Sequence, residues 1–162
     1  MILNKFYWVG YGSIAKTLLE LFNLENNLYF DIPNVIIDPL PPKHTELFKG
    51  RNVQYIQKAL TRNNYRQLLD GVDDKTLIID LSVNVDTIML LKFCKERGCF
   101  YINTSIENYE DDEKKPIIYS HLKNFNTLND LLGKEGFCVI LYQTSSRSTG
   151  HWCSIIKIHK NI

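Results

Sequence analysis

The sequence predicts an α/β fold, a parallel sheet with helices on both faces. Three observations carry this expectation. Apolar runs of strand length alternate with helix-period stretches over the first hundred residues. The first run, Phe6-Tyr7-Trp8-Val9, is apolar throughout, as a strand covered on both faces must be. It leads directly into the turn Gly10-Tyr11-Gly12-Ser13-Ile14-Ala15, after which Ile14, Leu18, Leu21 and Phe22 recur at helical spacing.

The turn has the G-x-G-x-x-G/A pattern of a phosphate cradle, and each small residue has a reason. Gly10 can take the backbone angles of a tight turn. Gly12 lets a pyrophosphate approach the backbone. Ala15 lets helix and strand pack closely, and the helix N-terminus then faces the anion. Asp38 closes the next apolar run, Val35-Ile36-Ile37-Asp38, and is placed to accept hydrogen bonds from the adenosine ribose. It lies 26 residues beyond Gly12, against the usual ~20. A loop over Asn23 to Pro33 absorbs the excess. The alternative is a glycine turn that serves packing alone.

The remaining elements follow in order. Pro39-Leu40-Pro41-Pro42 stops the second strand. A short helix is expected over Lys43 to Lys49 and a third strand over Asn52 to Ile56. Another short helix is expected over Asn64 to Leu69, closing at Gly71. Thr76 to Leu81 is a strong strand. Val85 to Arg97 is a strong helix, with Ile88, Leu91 and Phe93 among its apolar positions and Gly98 just past its end. Cys99 to Ile102 is the fifth strand. Right-handed crossovers then give the order 3-2-1-4-5 of a Rossmann-type sheet. Its ligand should lie beyond the carboxyl ends of the strands, where Gly10 to Ser13, Asp38, Leu81 to Asn84 and Asn103 to Ser105 fall.

The expected domain organisation is a dinucleotide-binding domain over 1–109, a charged linker over 110–116 and a small, incomplete α+β appendage over 117–162. The linker is Glu110-Asp111-Asp112-Glu113-Lys114-Lys115-Pro116. The appendage should hold a helix over Leu128 to Leu132 and strands over Phe137 to Tyr142 and Trp152 to Ile158.

The 162 residues suit one domain, or one and a fraction, and an apolar share of 44% supports a real core. A net charge of +1 gives no electrostatic reason to expect nucleic acid or a membrane surface as partner. No apolar run approaches the ~20 residues of a membrane span. The first strand starts by the sixth residue, which leaves no room for a signal peptide. Cys94, Cys99, Cys138 and Cys153 form no C-x-x-C pair and read as free thiols in a reducing, cytoplasmic setting, with no metal site. His44, His121 and His159 lack metal-ligand spacing.

Three stretches together resemble the N-terminal part of homospermidine synthase, within the saccharopine dehydrogenase-like group. They are Gly10-Tyr11-Gly12-Ser13-Ile14-Ala15, Ile79-Asp80-Leu81-Ser82-Val83-Asn84 and Tyr101-Ile102-Asn103-Thr104-Ser105-Ile106-Glu107. Order and spacing agree over about residues 1 to 109. The resemblance implies an enzyme that holds NAD as a redox group, oxidises the amine carbon of putrescine, passes through an imine with a second amine and reduces that imine with the same hydride. It implies that Gly10, Gly12, Ser13 and Ile14 hold the pyrophosphate and Asp38 the ribose. It further implies that Leu81, Ser82 and Asn84 line the nicotinamide side, with Thr104 and Glu107 near the substrate mouth. Ser82 could instead cap the helix that begins near Val85.

Some residues depart from the family pattern: Ala15 replaces a glycine, Asn103 an aspartate, and Asn108-Tyr109 a Pro-Trp pair. The family's long substrate-binding portion has no counterpart here, so this chain is expected to be inactive alone and to need a longer chain for any polyamine pocket. The tail resembles the start of a viral-type cysteine peptidase domain, through Leu131-Leu132-Gly133, Val139 to Thr144 and Gly150-His151-Trp152. Cys153 stands two residues from His151, but no acid partner follows. The competing readings are a non-catalytic interaction module and a truncated fusion with a peptidase fragment.

Asp38 also predicts the choice of cofactor. A carboxylate at the ribose favours NAD, because the 2′-phosphate of NADP would bring like charge to the same spot. The neighbouring Pro39 to Pro42 offer no arginine, and Lys43 is the first cation.

Overall fold

In the computed structural model the described residues are 3–24, 31–83, 85–104, 136–142 and 151–157. The strands Lys5–Val9 (β1), Asn34–Asp38 (β2), Val53–Gln57 (β3), Thr76–Asp80 (β4) and Phe100–Asn103 (β5) form one parallel sheet in the order β3-β2-β1-β4-β5. This is the predicted Rossmann-type order. The helices are Ser13–Leu24 (α1), Tyr65–Leu68 (α2) and Thr87–Arg97 (α3), with a 3-10 turn at Thr45–Phe48. Gly136–Tyr142 (β6) and His151–Lys157 (β7) pair antiparallel as a separate two-stranded sheet. The expected linker over 110–116 and the helix over Leu128 to Leu132 lie outside the described residues. Among those residues no helix is long and apolar enough to cross a membrane.

Alternate residues of each strand serve opposite faces, as the pleat demands. On one face Phe6, Trp8, Ile36 and Ile79 pack with Ala15 and Leu19 of α1 and with Tyr11. On the other, Tyr7, Val9, Val35, Ile37 and Ile78 pack with Leu90, Phe93 and Cys94 of α3 and with Leu69 and Val72. Both faces are apolar because both are covered.

Two helix faces differ from expectation. Ile14 and Leu21 are 51% and 48% exposed; Ala15 packs against the sheet as expected, and Leu19 rather than Leu21 continues that face, flanked by Leu18 and Phe22. The tight turn sets the phase: it brings Ala15 against β1, and Leu19 follows one turn later. In α3 the buried positions are Thr87, Leu90, Phe93 and Cys94, whereas Ile88 and Leu91 are half-buried. The helix starts at Thr87 because Asp86 caps it, its carboxylate accepting from the Met89 N–H at 2.9 Å. Gly98 ends it in the left-handed conformation, as predicted.

The core contains one buried polar pair that the apolar pattern conceals. Trp8 Nε1 donates to Asn34 Oδ1 at 2.8 Å, and Asn34 Nδ2 donates to the Ile32 carbonyl. Asn34 is buried, so strand β2 begins one residue earlier than its apolar run. The pairing removes the cost of burying both groups, which would otherwise be about 1–3 kcal/mol for each one left unsatisfied.

Four tyrosines make the fold sensitive to alkali. Burial, then the charge of Asp70, raises the Tyr7 phenol above its ordinary value. Burial, then Glu46, pushes Tyr11 up to about 12. Burial, then Asp38, pushes Tyr55 up to about 12. Burial, then Asp80, holds Tyr101 well above the ordinary value. Below pH ~10 these phenols are neutral in both folded and unfolded chains and cost nothing. Above it the unfolded chain releases protons that the folded one keeps, so stability falls as pH rises toward the folded values. The denaturation midpoint should therefore hold level from pH 7 to about 9.5 and drop steeply from about 10 to 12. A midpoint that stays level to pH 12 contradicts this.

Candidate dinucleotide site

The site begins where β1 runs into α1. Gly10 has φ +91, and a Cβ there would stand 2.9 Å from both the Leu81 carbonyl oxygen and the Ser82 nitrogen. Its N–H donates to the Ile37 carbonyl at 2.9 Å, while the Leu81 N–H donates to the Val9 carbonyl at 2.8 Å. The turn is thus stitched to the ends of β2 and β4 at once. Gly12 differs: a Cβ there meets nothing within 4 Å. Ser13 and Ile14, exposed at the start of α1, stand beside that open space, and the first turn of the helix carries no acid. A positive helix end, an open approach and no competing carboxylate fit a pyrophosphate.

An acid stands on each side of the turn, set there by strand register. Val9 pairs with Ile37 and with Asp80, so Asp38 and Asp80 both fall at carboxyl ends. Asp38 Oδ2 accepts the Tyr11 N–H at 2.7 Å, and Oδ1 accepts the Leu40 N–H at 2.8 Å. These bonds anchor the carboxylate beside the glycine turn, and each oxygen keeps a second lone pair for a ribose hydroxyl. Tyr11 carries the loop after β2 as well. Its ring lies 5.3 Å from Phe48 and 5.8 Å from Tyr55, and its hydroxyl donates to the His44 carbonyl at 3.3 Å. His44 holds a left-handed conformation with φ 59, and Tyr55 ties the same loop by donating to the Leu40 carbonyl at 2.8 Å.

Asp80 is 4% exposed. Its Oδ1 accepts from the Ser82 N–H at 3.1 Å and the Ser82 hydroxyl at 2.6 Å; its Oδ2 accepts from the Tyr101 hydroxyl at 2.8 Å. Ser82 therefore does not cap α3; Asp86 does.

Of the residues singled out in the sequence, Gly10, Gly12, Ser13 and Ile14 share the turn. Asp38 is hydrogen-bonded to it, and Leu81 and Ser82 lie against Gly10. Thr104 follows the end of β5, one strand further out, and Asn84 and Glu107 lie outside the described residues. The sequence alone assigns no role to three residues here: Tyr11, which sits between the two glycines, and the buried pair Asp80 and Tyr101. For the pair a signal exists, because an acid closing an otherwise apolar strand needs buried donors.

The saccharopine dehydrogenase NADP-binding domain model matches residues 6–140. The chain belongs to that family. The match runs past residue 109, where the sequence resemblance ended, and into β6. Homospermidine synthase of Blastochloris viridis is 33% identical over 117 residues, 67% of this chain and 24% of that protein. Homospermidine synthase of Mesorhizobium japonicum is 30% identical over 105 residues, 61% of this chain and 21% of that protein. The uncharacterised protein V9 of the Sputnik virophage is 28% identical over 67 residues, 38% of each chain. The solved homospermidine synthase of Legionella pneumophila, in complex with NAD, shares the fold with a TM-score of 0.62 at 20% identity, over 80% of this chain and 26% of that one. The chain spans about a quarter of the homospermidine synthases that it matches. It is an NAD(P)-binding domain of the homospermidine synthase-like kind. Nothing in these matches supports the peptidase likeness of the tail.

The two glycines should respond differently to alanine. Gly10→Ala forces a side chain into a left-handed position and against the Leu81–Ser82 backbone, and should cost at least about 2 kcal/mol of stability. Gly12→Ala should leave the melting temperature within a few degrees and weaken dinucleotide binding. Thermal melts with and without NADH check both; a Gly10→Ala variant as stable as the parent contradicts the packing argument.

Proposed function

We propose that this chain is the cofactor-binding part of a homospermidine synthase-type protein and binds NAD in preference to NADP. The observation that carries the reading is the open space at Gly12, bounded by the α1 N-terminus and flanked by the anchored carboxylate of Asp38. The family match and the homospermidine synthase relatives support it.

Gly10, Gly12, Ser13 and Ile14 form the pyrophosphate cradle, and Asp38 receives the adenosine ribose hydroxyls. NAD, when bound, supplies hydride acceptance and return. Leu81, Ser82, Asn84 and Thr104 belong to the side where that hydride is exchanged. This stretch spans about a quarter of the homospermidine synthases that it matches, so polyamine turnover is assigned to the whole protein and cofactor binding to this domain. The division at residues 110–116 and a reducing, cytoplasmic setting complete the reading, the latter supported by the free thiols of Cys94 and Cys99.

The preference for NAD follows from charge. The Asp38 carboxylate cannot take hydrogen bonds from a phosphate. Two like charges ~4 Å apart repel by on the order of 4 kcal/mol at an effective dielectric near 20. Lys43, the nearest following cation in the chain, is exposed.

Fluorescence titration with NADH and NADPH tests this. NADH should bind more tightly. Asp38→Ala should weaken NADH by several-fold to about a hundredfold, since hydrogen bonds to a charged group contribute ~1.5–3 kcal/mol. NADPH should weaken much less, or gain. The readout is the ratio, because losing the Tyr11 and Leu40 anchors loosens the site for both cofactors alike. Equal affinities in the parent protein would remove Asp38 from the ribose, and no binding of either would leave a fold that serves interaction alone.

A further inference from the structure

The loop after β4 is built by a buried relay. Tyr101 stands on β5, two strands away from the glycine turn, and its hydroxyl reaches Asp80 Oδ2 at 2.8 Å. The other oxygen of the same carboxylate holds Ser82 twice, through its N–H and its hydroxyl. Ser82 nitrogen and Leu81 oxygen in turn form the wall against which Gly10 packs. A displacement of Asp80 therefore reaches the turn itself.

This wall lies on a definite side of the site. The strand order reverses between β1 and β4, and a dinucleotide lies across the crevice at such a point. Asp38 marks the adenosine half on the β2 side. The other half of the extended ligand then falls on the β4 side, beside Leu81 and Ser82.

We propose that Tyr101 is a positioning residue for the nicotinamide end of the site, acting through Asp80 to fix the Leu81–Ser82 loop and turn the Ser82 oxygen toward the ligand as an acceptor. The inference rests on the NAD reading above. Ser82 spends its hydroxyl proton on Asp80 at 2.6 Å, so it meets a ligand with its lone pairs alone. The nicotinamide carboxamide N–H2 is a donor of the matching kind. A serine free to rotate would present donor and acceptor alike. Tyr101 also keeps its proton at any working pH, because burial and then the Asp80 charge hold its phenol well above the ordinary value.

Calorimetric titration of the full chain with NADH and with ADP-ribose, which lacks nicotinamide, separates this role from general support of the fold. The parent protein should bind both. Tyr101→Phe should weaken NADH by about 3- to 10-fold, the size of the one neutral hydrogen bond from the carboxamide to Ser82 that it would misplace, and leave ADP-ribose within about twofold. Ser82→Ala, which keeps the Tyr101 bond and the Ser82 N–H bond to Asp80, should give the same split and serves if Tyr101→Phe does not fold. An equal fall for both ligands, or no change in either, overturns the role of Tyr101 while leaving NAD binding intact. A parent protein that binds neither ligand overturns the NAD reading and this inference with it.

Discussion

The absence of a side chain at Gly10 sets the spacing of the whole upper edge of the sheet. With φ +91 and neighbouring backbone 2.9 Å from where a Cβ would be, the turn can lie directly against the Leu81–Ser82 peptide. That approach lets the Leu81 N–H bond to Val9 while the Gly10 N–H bonds to Ile37. The ends of β1, β2 and β4 are then one hydrogen-bonded unit. Helix α1 leaves from it at a fixed angle and phase, which is why Ala15 and Leu19 reach the core and Ile14 does not. Gly12 stays clear of all this packing, so the open space beside the helix end is a consequence of how tightly Gly10 is held.

The strands and their order were legible because they depend on patterns that survive in one dimension. Runs such as Phe6 to Val9 and Thr76 to Asp80 are apolar on both faces only when helices cover both. The Gly98 stop and the proline stop after Asp38 are local chemistry, readable in place. Helix faces were less legible. Ile14 and Leu21 have helical spacing with Leu18 and Phe22, yet the inward stripe runs through Leu19 and through Ala15, which the turn pattern marks and the apolar periodicity does not. The phase came from the turn, a three-dimensional constraint that residue hydrophobicity does not encode.

The polar contacts were the least legible part. Trp8 with Asn34, Tyr11 with Asp38 and Tyr101 with Asp80 join residues 21 to 27 positions apart. Each requires knowing that two strands are neighbours and in which register. Asp38 shows how such a contact changes a reading. From the sequence it is a ribose acceptor alone. In the fold it also anchors the Tyr11 and Leu40 amides, so the residue proposed to select the cofactor also braces the glycine turn.

Asp38 and Asp80 both close strands on either side of β1, one residue apart in register and so on opposite faces, and their surroundings assign them different work. Asp38 uses one backbone bond per oxygen and remains half-buried, so a ligand can reach it. Asp80 is buried and its oxygens are occupied by Ser82 and Tyr101. A carboxylate enclosed in this way cannot also serve an incoming hydroxyl, and its charge is instead spent on ordering its neighbours. The same residue type at the end of a strand is therefore left open on one side and shapes the wall on the other. What separates them is where the tyrosine of the outer strand bonds: Tyr101 on β5 donates to Asp80 itself, whereas Tyr55 on β3 donates past Asp38 to the Leu40 carbonyl and leaves the Asp38 carboxylate open.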